Sequence, residues 1–209
     1  MKKKILVFLM IMLMGILTGC GMSEDEAKEY VKASLDAAYK GEFEEFVNIT
    51  DSTPEGAKAM YEENIAHTME AAGFNDKNLD AELLEKYEQF FLESMYKAEY
   101  EIGEAYETPE GDYEVEVVVR PLKVFEGIEQ DVTEKVLSRI EKMKKHPSDK
   151  QITKISFEVM YHILAEKIEE PEYGEEKTVV IRLHKNEEGM YMISEEDMIA
   201  LDSTLFAIE

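Results

Sequence analysis

"AEYEIGEAYETPEGDYEVEVVVRPLKVF", residues 98–125, is where the apolar rhythm of the chain changes from about 3.6 to 2. Tyr100 and Ile102 alternate with glutamates, and Tyr113, Val115, Val117 and Val119 repeat the alternation. Between the two runs, Thr108-Pro109-Glu110-Gly111 has the composition of a tight turn. Alternation of this kind predicts an antiparallel hairpin with one face packed and one face wet. Pro121 has no N–H to give to a ladder and marks a strand end, bulge or edge.

Downstream, "KTVVIRLHKNEEGMYMIS" (residues 177–194) repeats the device. Val179, Ile181 and Leu183 share one face, Gly189 lies in the turn, and Met190 to Ile193 form the return strand. The rest of the chain keeps the helical period. Ser23 with Glu26 three residues on has the form of a capping box. Ala27, Tyr30, Val31, Ser34, Leu35 and Ala38 follow at helical spacing up to Gly41, a helix stop. A short second helix carries Phe43, Phe46 and Val47. "DSTPEGAKAMYEENIAHTMEAAG" (51–73) starts on a cap and an early proline, with Ala57, Met60, Ile65 and Met69 on one side and Gly73 as its break. "LDAELLEKYEQFFLESMY" (79–96) carries Leu79, Leu83, Leu84, Tyr87, Phe90, Phe91 and Met95, a face broad enough to need burial on more than one side.

Between the hairpins, Ile128, Val132, Val136, Leu137, Ile140 and Met143 line one helix, and Pro147 breaks it. Ile152, Ile155, Val159, Ile163, Leu164 and Ile168 continue at near-helical spacing, although "ITKISFEV" (152–159) also reads as a short strand. Met198, Leu201 and Leu205 give a terminal helix. Helices, hairpin, helices, hairpin predicts an α+β domain whose antiparallel sheet packs one face on helices.

The chain has 47 acidic against 23 basic residues, a formal charge of −24. That balance argues against nucleic acid as a partner, because it repels a phosphate backbone. Anionic lipid is expected to repel the folded part as well, so that attachment to a membrane would come from acyl chains. Eleven tyrosines and nine phenylalanines argue for a packed domain rather than disorder.

Catalytic constellations are sparse. His67, His146, His162 and His184 each stand alone, without a partner at metal-ligand spacing, so no metal or cofactor is expected. Adjacent acids such as Glu44-Glu45, Glu62-Glu63, Glu169-Glu170 and Glu195-Glu196 are what so acidic a composition produces by chance. Acid/base work would need burial to separate their pKa values, and calcium would need converging oxygens. Tyr87, Phe90, Phe91, Tyr100, Tyr106 and Tyr113 either line a ligand pocket between helix and sheet or form its core. The core reading takes precedence.

The amino terminus reads "MKKKILVFLMIMLMGILTGC". Lys2, Lys3 and Lys4 precede an apolar run from Ile5 to Met14, then Gly15, Ile16 and Leu17. This is the charged, apolar, small-residue order of a secretory signal, too short to span a bilayer comfortably. Leu17-Thr18-Gly19-Cys20 resembles the lipobox of bacterial lipoproteins. That resemblance implies cleavage before Cys20, a lipid on its sulfur, and a protein moored to the outer face of the cell membrane. The other reading is an ordinary signal followed by an incidental cysteine. With Cys20 the single cysteine, an intrachain disulfide is excluded.

The expected organisation is a lipoprotein signal peptide at 1–19, a short lipid-anchored tether at 20–23 and an α+β domain at 24–207. "AYKGEFEEF" (38–46), the helix-rich middle and "GMYMISEEDMIALDSTLF" (189–206) resemble small lipoproteins of Gram-positive, Firmicutes-type bacteria. Their domains are similar to the cystatin/NTF2-like group, which implies helices packed on a curved antiparallel sheet. The chain departs from that pattern in having no tryptophan and in its extra helices between the hairpins. One domain and two repeated helix-plus-hairpin halves both stay open. The leading functional expectation is a non-enzymatic, membrane-anchored domain binding a small molecule, a peptide or an envelope protein. An envelope enzyme with an acid/base pocket and a structural or assembly lipoprotein are the alternatives.

Overall fold

A computed structural model describes residues 21–75, 79–187 and 189–208. Helix α1 (Glu24–Leu35) starts on the expected box: Glu26 N–H donates to Ser23 Oγ at 3.2 Å, and Ser23 N–H donates to the Glu26 carboxylate at 2.7 Å. It continues into a π-helical turn, Asp36–Lys40, which stops at Gly41 with φ 67°. The helices α2 (Glu44–Thr50), α3 (Pro54–Ala72) and α4 (Ala81–Tyr96) follow. Thr53 caps α3 and Pro54 opens it, as its sequence predicts.

Strands β1 (Glu99–Glu107) and β2 (Tyr113–Arg120) form the first hairpin. After a short 3-10 turn come α5 (Ile128–Glu141) and α6 (Asp149–Glu169), a helical hairpin broken at Pro147. The chain ends in β3 (Lys177–Lys185), β4 (Tyr191–Ile193) and α7 (Glu195–Leu205). "ITKISFEV" is helical throughout. Packing of α6 on α4 and α5 settles what local periodicity left open.

All pairings in the sheet are antiparallel, in the order β1-β2-β3-β4. The two hairpins are therefore not separate halves, because β2 pairs with β3 along its length, Tyr113 opposite Leu183 and Val119 opposite Lys177. The sheet is open, with β1 and β4 as its edges. Its inner face carries Val115, Val117, Ile181 and Leu183, all at 0% exposure. Helix α1 covers β1 and β2, and α7 covers β3. Arg182 holds α7 down: its side chain donates to both oxygens of the buried Asp197, at 2.9 and 2.7 Å, and its backbone N–H donates at 2.8 Å.

The alternation in β1 is interrupted. Ile102 faces Val117 and Ala105 faces Val115, so Gly103 and Glu104 together oppose Glu116. This bulge reverses the phase of the strand. Tyr106 consequently points outward, 51% exposed, and not into the helix–sheet interior as strict alternation predicts. A Cβ on Gly103 would lie 3.1 Å from Glu116 Cβ and 3.3 Å from the Glu116 carbonyl oxygen. The central strand β2 has little room to yield. Gly103→Ala is expected to destabilise the fold by about 1 kcal/mol, read as a lower midpoint in thermal unfolding; an unchanged midpoint would show that the bulge relaxes freely.

Helices α4 and α6 run side by side in the same direction. Lys154 pairs with Asp80 at 2.6 Å near their starts, Tyr87 O–H donates to the Phe157 carbonyl at 2.7 Å, and Lys97 Nζ donates to the Ile168 carbonyl at 2.5 Å near their ends. Val136, Ile155, Val159 and Ile163 close the seam between α5 and α6. Among the described residues no helix is long and apolar enough to cross a membrane.

Candidate interaction surface

The aromatic residues do not converge on one pocket. Tyr87, Phe90 and Phe91 are buried: the Phe74 ring centroid lies 4.3 Å from Tyr87, 5.3 Å from Phe91 and 5.5 Å from Phe157, and Phe90 packs on Phe91 and Phe125 at 5.5 and 5.9 Å. These are packing distances of a filled core. Tyr113 sits elsewhere, beneath the start of α1, where its hydroxyl donates to the Met22 carbonyl and its ring meets Tyr191 at 5.5 Å. Tyr100 flanks the π-helical turn and donates to Asp36 Oδ1 at 2.7 Å.

All four histidines are exposed. His67 faces solvent beside Glu63, 3.7 Å away. The adjacent acidic pairs are exposed as well. No group of three or more His, Cys, Asp or Glu side chains among the described residues is placed to hold a metal ion.

Two buried polar groups escaped the sequence reading. Asp202, on α7, is 0% exposed and accepts a hydrogen bond from Tyr39 O–H at 2.5 Å. Its Oδ2 has no partner among the described residues. Burial raises the Asp202 carboxyl well above the usual carboxylate range, against a smaller lowering by the Tyr39 hydrogen bond. Burial, then the charge of Asp202, pushes Tyr39 up as well. A visible signal existed: Asp202 lies one residue after Leu201 and three before Leu205, on the apolar stripe of its helix. Both side chains are enclosed, so this pair does not present an acid to a substrate.

The α5–α6 hairpin carries the other unexpected feature. Residues 135–154 hold seven basic residues against two acidic ones, Glu141 and Asp149, inside a chain of net charge −24. Lys135, Lys142, Lys144, Lys145, Lys150, Lys154 and Arg139 are all exposed. Three are paired: Lys135 with Glu166 at 3.8 Å, Arg139 with Glu158 at 2.9 Å, and Lys154 with Asp80. Lys142, Lys144, Lys145 and Lys150 have no carboxylate at ion-pair distance among the described residues. Beside them Leu137 is 56% and Met143 38% exposed, although both were expected on the buried stripe. For Met143 the helix ends too early, since Lys142 is its C-cap; Leu137 is within α5, but the seam with α6 takes Val132, Val136 and Ile140 and leaves it outside. An open groove on α5 is lined by Glu134, Lys135, Ser138, Arg139 and Lys142.

No protein family and no curated protein matches the chain. Among solved structures it is similar to a candidate lipoprotein (ycdA) of Bacillus subtilis subsp. subtilis str. 168, with 19% identity and a TM-score of 0.56. The alignment covers 86% of this chain and 55% of that one, so the chain spans little more than half the length of its structural relative. The likeness is one of fold.

Proposed function

We propose that the protein is a membrane-anchored lipoprotein of the outer face of the cell membrane, working as a non-enzymatic binding domain for an envelope component. The observation that carries this reading is Leu17-Thr18-Gly19-Cys20 after a charged and then apolar leader. Cys20 and residues 1–19 lie outside the described residues. In this reading residues 1–19 are a signal peptide removed before Cys20, the Cys20 sulfur carries the lipid, and 20–23 form the tether. Two or more acyl chains give a stable anchor where one is marginal. Helix α1 begins at Glu24, so the domain at 24–207 stands directly on the bilayer. The fold likeness to a Bacillus subtilis candidate lipoprotein supports the reading. Helices on one face of an open antiparallel sheet are also compatible with the cystatin/NTF2-like group.

The aromatic core is filled, and the buried acid is enclosed. A partner, whether small molecule, peptide or envelope protein, therefore binds at a surface. Cys20→Ser tests the anchor. The variant is expected to lose incorporation of a labelled fatty acid and to leave the membrane fraction, by the assay of radiolabelled or clickable palmitate. Labelling that persists in the variant, or wild-type chain found in cytosol with its leader intact, overturns the proposal.

A further inference from the structure

We infer that the α5–α6 tip, with Lys142, Lys144, Lys145 and Lys150 around Met143 and with Leu137 exposed on the adjoining part of α5, is a docking surface for an anionic phospholipid bilayer. The inference deepens the membrane-anchored reading and rests on it for the surface lying nearby. Three observations carry it. First, the charge is segregated: a stretch of net +5 sits in a chain of net charge −24. Averaged charge predicts repulsion from anionic lipid. The actual distribution gives a basic tip that is attracted and an acidic body that is turned away, which orients the molecule. Basic side chains near an anionic surface each add to adsorption over a range of about 10 Å at 0.1 M salt.

Second, four of the lysines have no carboxylate partner among the described residues, so docking need not break an ion pair. The acidic neighbours at the tip are Glu134 and Glu141 on α5 and Asp149 at the start of α6. They are outnumbered. Third, Met143 lies between Lys142 and Lys144 in the interhelical turn, and Leu137 is exposed on α5. Met143 flanked by lysines, with Leu137 exposed on α5 between Glu134 and Glu141, offers apolar area to the boundary between headgroups and acyl chains, where binding scales with buried apolar area plus charge attraction. A soluble polyanion would use the lysines and leave Met143 and Leu137 in water.

The α5–α6 hairpin leaves the sheet after Arg120 and returns to it at Lys177, with the basic tip at the far end of that excursion. A protein held by Cys20 and by this tip would touch the bilayer at two separate points of the chain. Local tethering makes even a weak second contact effective.

The test uses the leaderless chain, residues 20–209 with Cys20→Ser, so that binding is read without any acyl anchor and a failure of the lipidation reading stays separate. It is mixed with vesicles of phosphatidylglycerol and phosphatidylcholine, or of phosphatidylcholine alone, and co-sedimentation is measured. We expect binding to the anionic vesicles only, weakening as salt is raised. The combined reversal Lys142→Glu, Lys144→Glu, Lys145→Glu and Lys150→Glu is expected to weaken partitioning at least about tenfold. Leu137→Ser with Met143→Ser is expected to weaken it about threefold at constant charge. Circular dichroism and thermal unfolding verify that these surface variants fold. No partitioning of the parent chain, or partitioning unchanged by the charge reversal, overturns the inference. So does lysine-dependent self-association without vesicle binding, which assigns the tip to a second copy of the chain.

Discussion

Phe74→Ala is expected to lower the unfolding free energy by about 3–5 kcal/mol, the range for emptying a ring-sized space in a packed interior. Phe74 is 6% exposed and contacts three rings at once: Tyr87 on α4, Phe91 on α4 and Phe157 on α6. Its position follows from the way α3 ends. Gly73 adopts φ 90°, and Phe74 N–H donates back to the Met69 carbonyl at 2.9 Å. That closure turns the next side chain inward, against the helix it has just left. Truncation therefore removes ring contacts and loosens the junction of three helices, because neighbouring rings cannot all shift to refill the space. The measurement is urea unfolding of the leaderless chain followed by circular dichroism. It discriminates between the two readings of the aromatics. If they lined a ligand pocket, removing Phe74 would enlarge an existing void at little cost to stability. An unfolding midpoint unchanged by Phe74→Ala would thus defeat the filled-core description.

Local signals in the sequence located most elements because each is written within a few residues. Ser23 with Glu26, Gly41, Thr53-Pro54 and Gly73 all mark helix boundaries where the structure has them. The two hairpins are equally local: each has its own turn and its own alternation. What joins them is not. Pairing of β2 with β3 spans the whole α5–α6 insertion, and nothing near Val117 announces that Val179 lies opposite. Tyr106 was misplaced because a bulge requires only that Gly103 lack a side chain near Glu116, a condition met across the hairpin rather than along it. The basic tip was hidden by summation: a net charge of −24 conceals a stretch of opposite sign. Leu17-Thr18-Gly19-Cys20, which resembles a lipobox, is the reverse case, visible in sequence and lying outside the described residues.

Tyr39→Phe is expected to destabilise the protein by about 1–3 kcal/mol, the cost of leaving a buried acceptor without its donor. Tyr39 O–H provides the hydrogen bond to Asp202, and Asp202 Oδ2 already has no partner among the described residues. The phenyl ring keeps the contacts with Tyr100 and Phe206, at 5.7 and 6.2 Å, so the loss is polar. Its pH dependence has a definite sign. Burial holds the folded Asp202 carboxyl well above its ordinary value of 3.8. Above about pH 4 the unfolded chain releases this proton while the folded chain keeps it. The folded state then binds more protons, so the contribution of Asp202 is fully present below that pH and is lost as pH rises towards the folded pKa. Removing Tyr39 takes away the one interaction that lowers this pKa, and the penalty steepens. Asp202→Asn, which cannot ionise, should remove that component of the slope, read as the difference from wild type in urea unfolding at about pH 5 and pH 7. Replacing both partners by apolar groups, Tyr39→Phe with Asp202→Leu, should recover most of the stability lost in Tyr39→Phe alone, because no buried polar group is then stranded. A double variant as unstable as the sum of its singles, or an Asp202→Asn slope identical to wild type, would show that this carboxyl is solvated and ionised after all.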